Sequence, residues 1–92
     1  PGVTIHGIVN SNRFAERFPT VSFTHQGRDP EHVAKALAAD GICVWSGHNY
    51  ALEVVRHLQI DEGAGVVRIG MAHYNTLDEV DRTLAAVRRS LA

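Results

Sequence analysis

The chain has 92 residues, of which 45% are hydrophobic and 21% charged, with a formal net charge of -1. That length supports one domain burying roughly 60 to 65% of its unfolded surface, and the balance excludes disordered and fibrous classes and gives no electrostatic reason to bind nucleic acid or an anionic membrane. With no apolar run long enough to cross a bilayer and no basic region ahead of a hydrophobic block at the N-terminus, a cytoplasmic protein is expected.

In chain order, "GVTIHGIV" sets Val3, Ile5, Gly7 and Val9 against Thr4, His6 and Ile8, the period of a strand. "NSNRFAER" is polar and turn-rich, predicting a loop. "TVSFTH" alternates cleanly, with Val21 and Phe23 on one face and Thr20, Ser22 and Thr24 on the other, as in a half-buried strand.

"RDPEHVAKALAADG" predicts a helix with Asp29 as its cap, Pro30 at the first helical position and Gly41 just past the end. Val33, Ala34, Leu37 and Ala38 form its apolar stripe, leaving Glu31, Lys35 and Asp40 toward water. "ICVW" predicts a short apolar strand, and the lone cysteine within it, Cys43, is expected to be a buried structural thiol. A glycine-containing turn, "SGHN", follows, and from Asn49 a second helix is expected with Ala51, Val54, Val55 and Leu58 at helical spacing.

"DEGAG" reads as a loop and "VVRIGM" as a strand. Thr76-Leu77-Asp78-Glu79 matches a capping box, in which a threonine hydroxyl and a glutamate satisfy each other's exposed backbone donors. Leu77, Val80, Leu84, Val87 and Leu91 then form a stripe, the pattern of a helix packed on a core. The resulting order predicts an α+β fold, a small and mostly antiparallel sheet with helices packed on one face.

Two places carry chemistry. On the last strand Val67, Ile69 and Met71 share a face, so Arg68 points the other way with Val66 and Gly70. A guanidinium there meets either an acidic side chain of the protein, water or an anionic ligand, whose carboxylate or phosphate its planar fork would match. The second place is the turn "WSGHNY", where Trp45, Ser46, His48 and Tyr50 follow a strand end. His48 brings an imidazole suited to proton exchange near neutrality, although a plain helix-entry loop explains the same letters. No histidine pair has metal-ligand spacing, so no metal is expected.

Taken together, "FPTVSFT", "DPEHVAKALAADGICVWSGHNYALEVV" and "VVRIGMAHYNTLDEVDRTLAAV" resemble the C-terminal small domain of the class V aminotransferase family, in its cysteine desulfurase-like branch. The resemblance runs from about Gly2 to near the end of the chain. It implies the small domain of a fold type I enzyme that uses pyridoxal 5'-phosphate as an electron sink, acts on an amino acid, and works as a homodimer. It also implies that Arg68 binds the substrate's α-carboxylate and that "SGHNY" is the active-site loop. In true desulfurases that loop bears a nucleophilic cysteine two residues after the position of His48, and here that position is Tyr50. A phenol does not replace a thiolate in accepting sulfur.

The family's cofactor-binding lysine belongs to an N-terminal large domain, and the only lysine here, Lys35, sits on a helix face turned to water. The start at Pro1-Gly2-Val3 reads as a cut, so the 92 residues are expected to be a fragment, inactive and free of cofactor when alone. Two other readings stand beside this one. One is a stand-alone ferredoxin-like module that binds a small molecule or drives oligomerisation. The other is a tautomerase-like enzyme using the secondary amine of Pro1 as its base.

Overall fold

A computed structural model describes all residues from Pro1 to Ala92. Four strands form one sheet in the order β1-β2-β4-β3, comprising β1 (Val3–His6), β2 (Thr20–His25), β3 (Trp45–Gly47) and β4 (Val66–Gly70). Every neighbouring pair is antiparallel. The helices are α1 (Pro30–Ala39), α2 (Leu52–His57) and α3 (Leu77–Leu91), with a 3-10 helix over Ser11–Glu16. The α+β class expected from the sequence is what the chain adopts. Its element order, with two strands before the first α-helix, differs from the βαββαβ order of a ferredoxin-like module.

Helix boundaries follow local chemistry. The Asp29 carboxylate accepts from the His32 amide and Pro30 occupies the first turn, so α1 starts where the letters place it. At its other end the Gly41 and Ile42 amides donate to the carbonyls of Ala38 and Leu37, and Gly41 takes a left-handed φ of 76°. These two bonds make a Schellman cap, which turns the chain and drives Ile42 into the core. The capping box of α3 is complete, with Thr76 Oγ1 accepting from the Glu79 amide at 3.2 Å and the Glu79 carboxylate accepting from the Thr76 amide at 3.2 Å.

The main cluster of the core is Phe23 from β2, Val33 and Leu37 from α1, Ile42, Val67 from β4 and Ala86 from α3, with Val55 of α2 and Val66 of β4 buried outside it. The helix layer of α1 and α3 therefore covers the face of the sheet that carries Phe23 and Val67.

Several sequence expectations are corrected. The segment read as a loop winds into the 3-10 helix, because Asn10 caps it by accepting from the Asn12 amide and Arg13 clasps Glu16 at 2.8 Å. The first strand stops at His6, since Gly7 turns with φ 101°. The strand expected at "ICVW" begins only at Trp45, and Cys43 is exposed, because burial of Ile42 turns the next residue outward. Ala38 is exposed on α1. In α3 the buried residue is Ala86, while Leu77 and Leu84 of the expected stripe face outward. The second helix starts at Leu52 and not at Asn49, because Asn49 and Tyr50 hold left-handed backbone angles.

Candidate functional site

Arg68 sits at the centre of β4, between β2 and β3. Val67 and Ile69 turn toward the layer of α1 and α3, so alternation sends Arg68 to the opposite face of the sheet. Antiparallel partners share a face, and the register pairs Arg68 with Ser22 on one side and Trp45 on the other, with His6 beyond Ser22. Thr20, Thr24, Gly47 and Gly70 surround this row, and His6 Nε2 lies 3.0 Å from Thr24 Oγ1. The floor is thus small and polar on the β2 side, while Val66 and Trp45 make it apolar toward β3. A Cβ built on Gly70 would meet only Thr20 Oγ1 at 4.0 Å, and one on Gly47 would meet nothing within 4 Å, so the space beside Arg68 is open.

Five of the other seven arginines are engaged, while Arg82 and Arg88 on α3 are, like Arg68, without a bonded partner. Arg13, Arg56 and Arg89 pair with carboxylates, Arg17 donates to the carbonyls of Ile8 and Thr20, and Arg28 donates to the terminal Ala92 oxygen. Arg68 is exposed and makes no ion pair or hydrogen bond with the protein. The internal salt bridge that the sequence left open is therefore not formed. An unshared guanidinium keeps all five N–H donors available, and a carboxylate or phosphate takes two of them in parallel.

The turn after β3 has a constrained backbone. Asn49 and Tyr50 lie consecutively in the left-handed region, at φ 54° and 59°, a conformation that non-glycine residues adopt at some energetic cost. Helix α2 cannot begin until this pair is passed. Local bonds hold the turn: Asn49 Nδ2 donates to the Gly47 carbonyl at 3.1 Å, the Tyr50 amide to His48 Nδ1 at 3.1 Å, and the Ala51 amide to the His48 carbonyl at 2.9 Å. Asn49 Oδ1 is buried with no partner. The His48 and Tyr50 rings meet edge to face at 6.3 Å, and Tyr50 is 94% exposed.

Of the residues named from sequence, Trp45 stands directly beside Arg68 on the open face. Ser46 pairs with Val67 and belongs to the other face, and His48 and Tyr50 lie past the end of β3. Two neighbours went unrecognised as site residues. Ser22 flanks Arg68, and only the β2–β4 register, which no local pattern encodes, brings it there. Gly65 also matters, because with φ 67° it backs onto Gly47 so closely that an added Cβ would overlap the Gly47 carbonyl. That contact seats β3 against the start of β4.

Lys35 lies in the helix layer, 70% exposed at its side chain and paired with Glu31 at 2.7 Å. The hydrogen bond that Lys35 donates to the Glu31 carboxylate raises its pKa, whereas an amine that condenses with an aldehyde must be free of its proton. His, Cys, Asp and Glu side chains form no cluster of three that could hold a metal ion, and no helix is long and apolar enough to cross a membrane.

The sequence profile of the aminotransferase class-V family matches residues 3–83. The chain is 39% identical over 89 residues to a probable cysteine desulfurase of Mycolicibacterium paratuberculosis, covering 97% of this chain and 12% of that protein. It is 34% identical over 92 residues to an aminotransferase-like protein of Gibberella zeae, covering 99% of this chain and 23% of that protein. The apo structure of a cysteine desulfurase from Thermococcus onnurineus NA1 matches with a TM-score of 0.85 and 34% identity, over 97% of this chain and 21% of that one. The chain thus spans between 12% and 23% of the length of these two curated relatives.

Proposed function

The chain belongs to the class V aminotransferase family, in its cysteine desulfurase-like branch, and on that premise we propose that it is the substrate-gripping small domain of a longer enzyme acting on an amino acid. Arg68 holds the α-carboxylate of that substrate. The observation that carries this reading is the unshared guanidinium on a sheet face flanked by Ser22 and Thr20 on one side and Trp45 on the other. Its task is positioning, since a substrate fixed by two parallel charge-assisted bonds loses the rotational freedom that otherwise opposes reaction.

The family depends on pyridoxal phosphate. The residues present here do not fit that group's anchor: the one lysine is protonated, solvent-exposed and in the helix layer, away from Arg68. We therefore assign the cofactor to an N-terminal large domain, with the longer protein acting as a homodimer and these 92 residues silent on their own. The loop lacks the thiol that persulfide formation would require at Tyr50, and Cys43 sits ahead of β3 and not at that turn. The reaction proposed is accordingly one that needs no thiol there, such as elimination, racemisation or transamination.

In the longer protein, Arg68→Ala should weaken amino-acid affinity by about 10- to 100-fold, the range for losing hydrogen bonds to a charged group, while the yellow cofactor stays bound. Spectral titration with the amino acid reads both quantities at once. Unchanged affinity would remove Arg68 from the site.

A further inference from the structure

We propose that Trp45 determines substrate specificity: its indole, directly across from Arg68 on the open sheet face, receives the substrate's side chain and selects amino acids bearing an aromatic or long apolar group. This rests on the reading of Arg68 as the carboxylate anchor.

The register places Trp45 and Arg68 as immediate cross-strand partners on one face, so their Cβ atoms stand roughly 4.5 to 5.5 Å apart. A carboxylate held by the guanidinium then has its α-carbon within reach of the indole. Trp45 is 60% exposed, lies outside the hydrophobic core cluster and stacks on no other ring. Its neighbour Val44, by contrast, packs against the core. A large apolar ring left in water next to an unfilled charge gains by being covered, and an aromatic partner covers it best.

The two flanks of Arg68 are unlike. On the β2 side stand the hydroxyls of Ser22 and Thr20, which suit the carboxylate itself. On the β3 side stands the indole, followed on the same face by Gly47, where an added Cβ would meet nothing within 4 Å. A side chain leaving the α-carbon therefore finds both an apolar wall and free space only on the Trp45 side. Arg68 reads the part common to all amino acids, and Trp45 reads the part that differs.

The test uses carboxylates that lack an amine and so cannot react with the cofactor. Calorimetric titration of the longer protein with hydrocinnamate and with propanoate should show hydrocinnamate binding at least tenfold tighter. Trp45→Ala should bring that ratio close to unity by weakening hydrocinnamate alone, and Trp45→Phe should retain most of it, which also guards against a folding defect at this edge strand. A ratio unchanged in Trp45→Ala, or the absence of any preference while propanoate binding still requires Arg68, would overturn the role of Trp45. If neither carboxylate depended on Arg68, the anchor itself would be misassigned, and the inference about Trp45 would fall with it.

Discussion

Arg68 illustrates what a period of two can and cannot reveal. Alternation alone put Arg68 opposite Val67 and Ile69, and the sheet keeps it there. Its neighbours Ser22 and Trp45 were not legible as a row with it, because register depends on pairing between segments more than twenty residues apart. Cys43 shows the converse failure: an apolar local run suggested burial, yet the Schellman cap after α1 fixed which of its residues enters the core. Geometry at Arg68 also separates charge from shape. Arg68→Lys keeps the charge but loses the two-pronged fork, so carboxylate affinity in that variant should fall between the wild type and Arg68→Ala. Equal affinity for Lys and Arg would mean that only net charge matters at this position.

At the scale of elements, the chain's caps were its clearest signals and its backbone strain the least visible. Asp29-Pro30 and Thr76-x-x-Glu79 begin α1 and α3 as their chemistry dictates. The late start of α2 follows from the left-handed pair Asn49-Tyr50, of which Asn49 is a type that tolerates that conformation and Tyr50 is not. The capping box gives a stability prediction: Thr76→Ala should destabilise the domain by about 1 kcal/mol, lowering the melting temperature by roughly 4 to 8 °C for a chain of this size.

The same cap carries a pH dependence. Hydrogen bonds from Asn75, and then from Thr76, hold the Glu79 carboxyl below its ordinary pKa. Its contribution is therefore complete above the unfolded-state value and is lost as pH falls through the lower folded value. Amide exchange at the first turn of α3 should accelerate in that acidic window, and this acid response should shrink in Glu79→Gln. A second element-level prediction concerns β3. Gly65→Ala would force a side chain into the Gly47 carbonyl and strain a left-handed φ, pushing β3 off β4. The variant should lose the preference for hydrocinnamate more than it loses propanoate binding, because Trp45 rides on β3 whereas Arg68 does not.

For the whole molecule, the core is small: 10 of 92 residues are buried, and Leu37 is fully enclosed at its centre. Leu37→Ala should therefore destabilise by about 2 to 5 kcal/mol, enough to unfold much of a domain of ordinary marginal stability, as a denaturant titration would read. Large apolar side chains remain outside, with Phe18 86% and Leu77 82% exposed. That surface fits the proposed packing against the rest of a longer enzyme, and of the α3 stripe Val87 and Leu91 pack on the core while Leu77 and Leu84 face outward. Periodicity finds an apolar face, but it does not say whether the cover comes from this chain.

The most direct measurement is a crystal structure of the longer protein with hydrocinnamate bound. Both carboxylate oxygens should lie within hydrogen-bonding distance of the Arg68 guanidinium, with the phenyl ring against Trp45. A carboxylate held elsewhere, with Arg68 turned to an acidic side chain of the large domain, would contradict that role for Arg68.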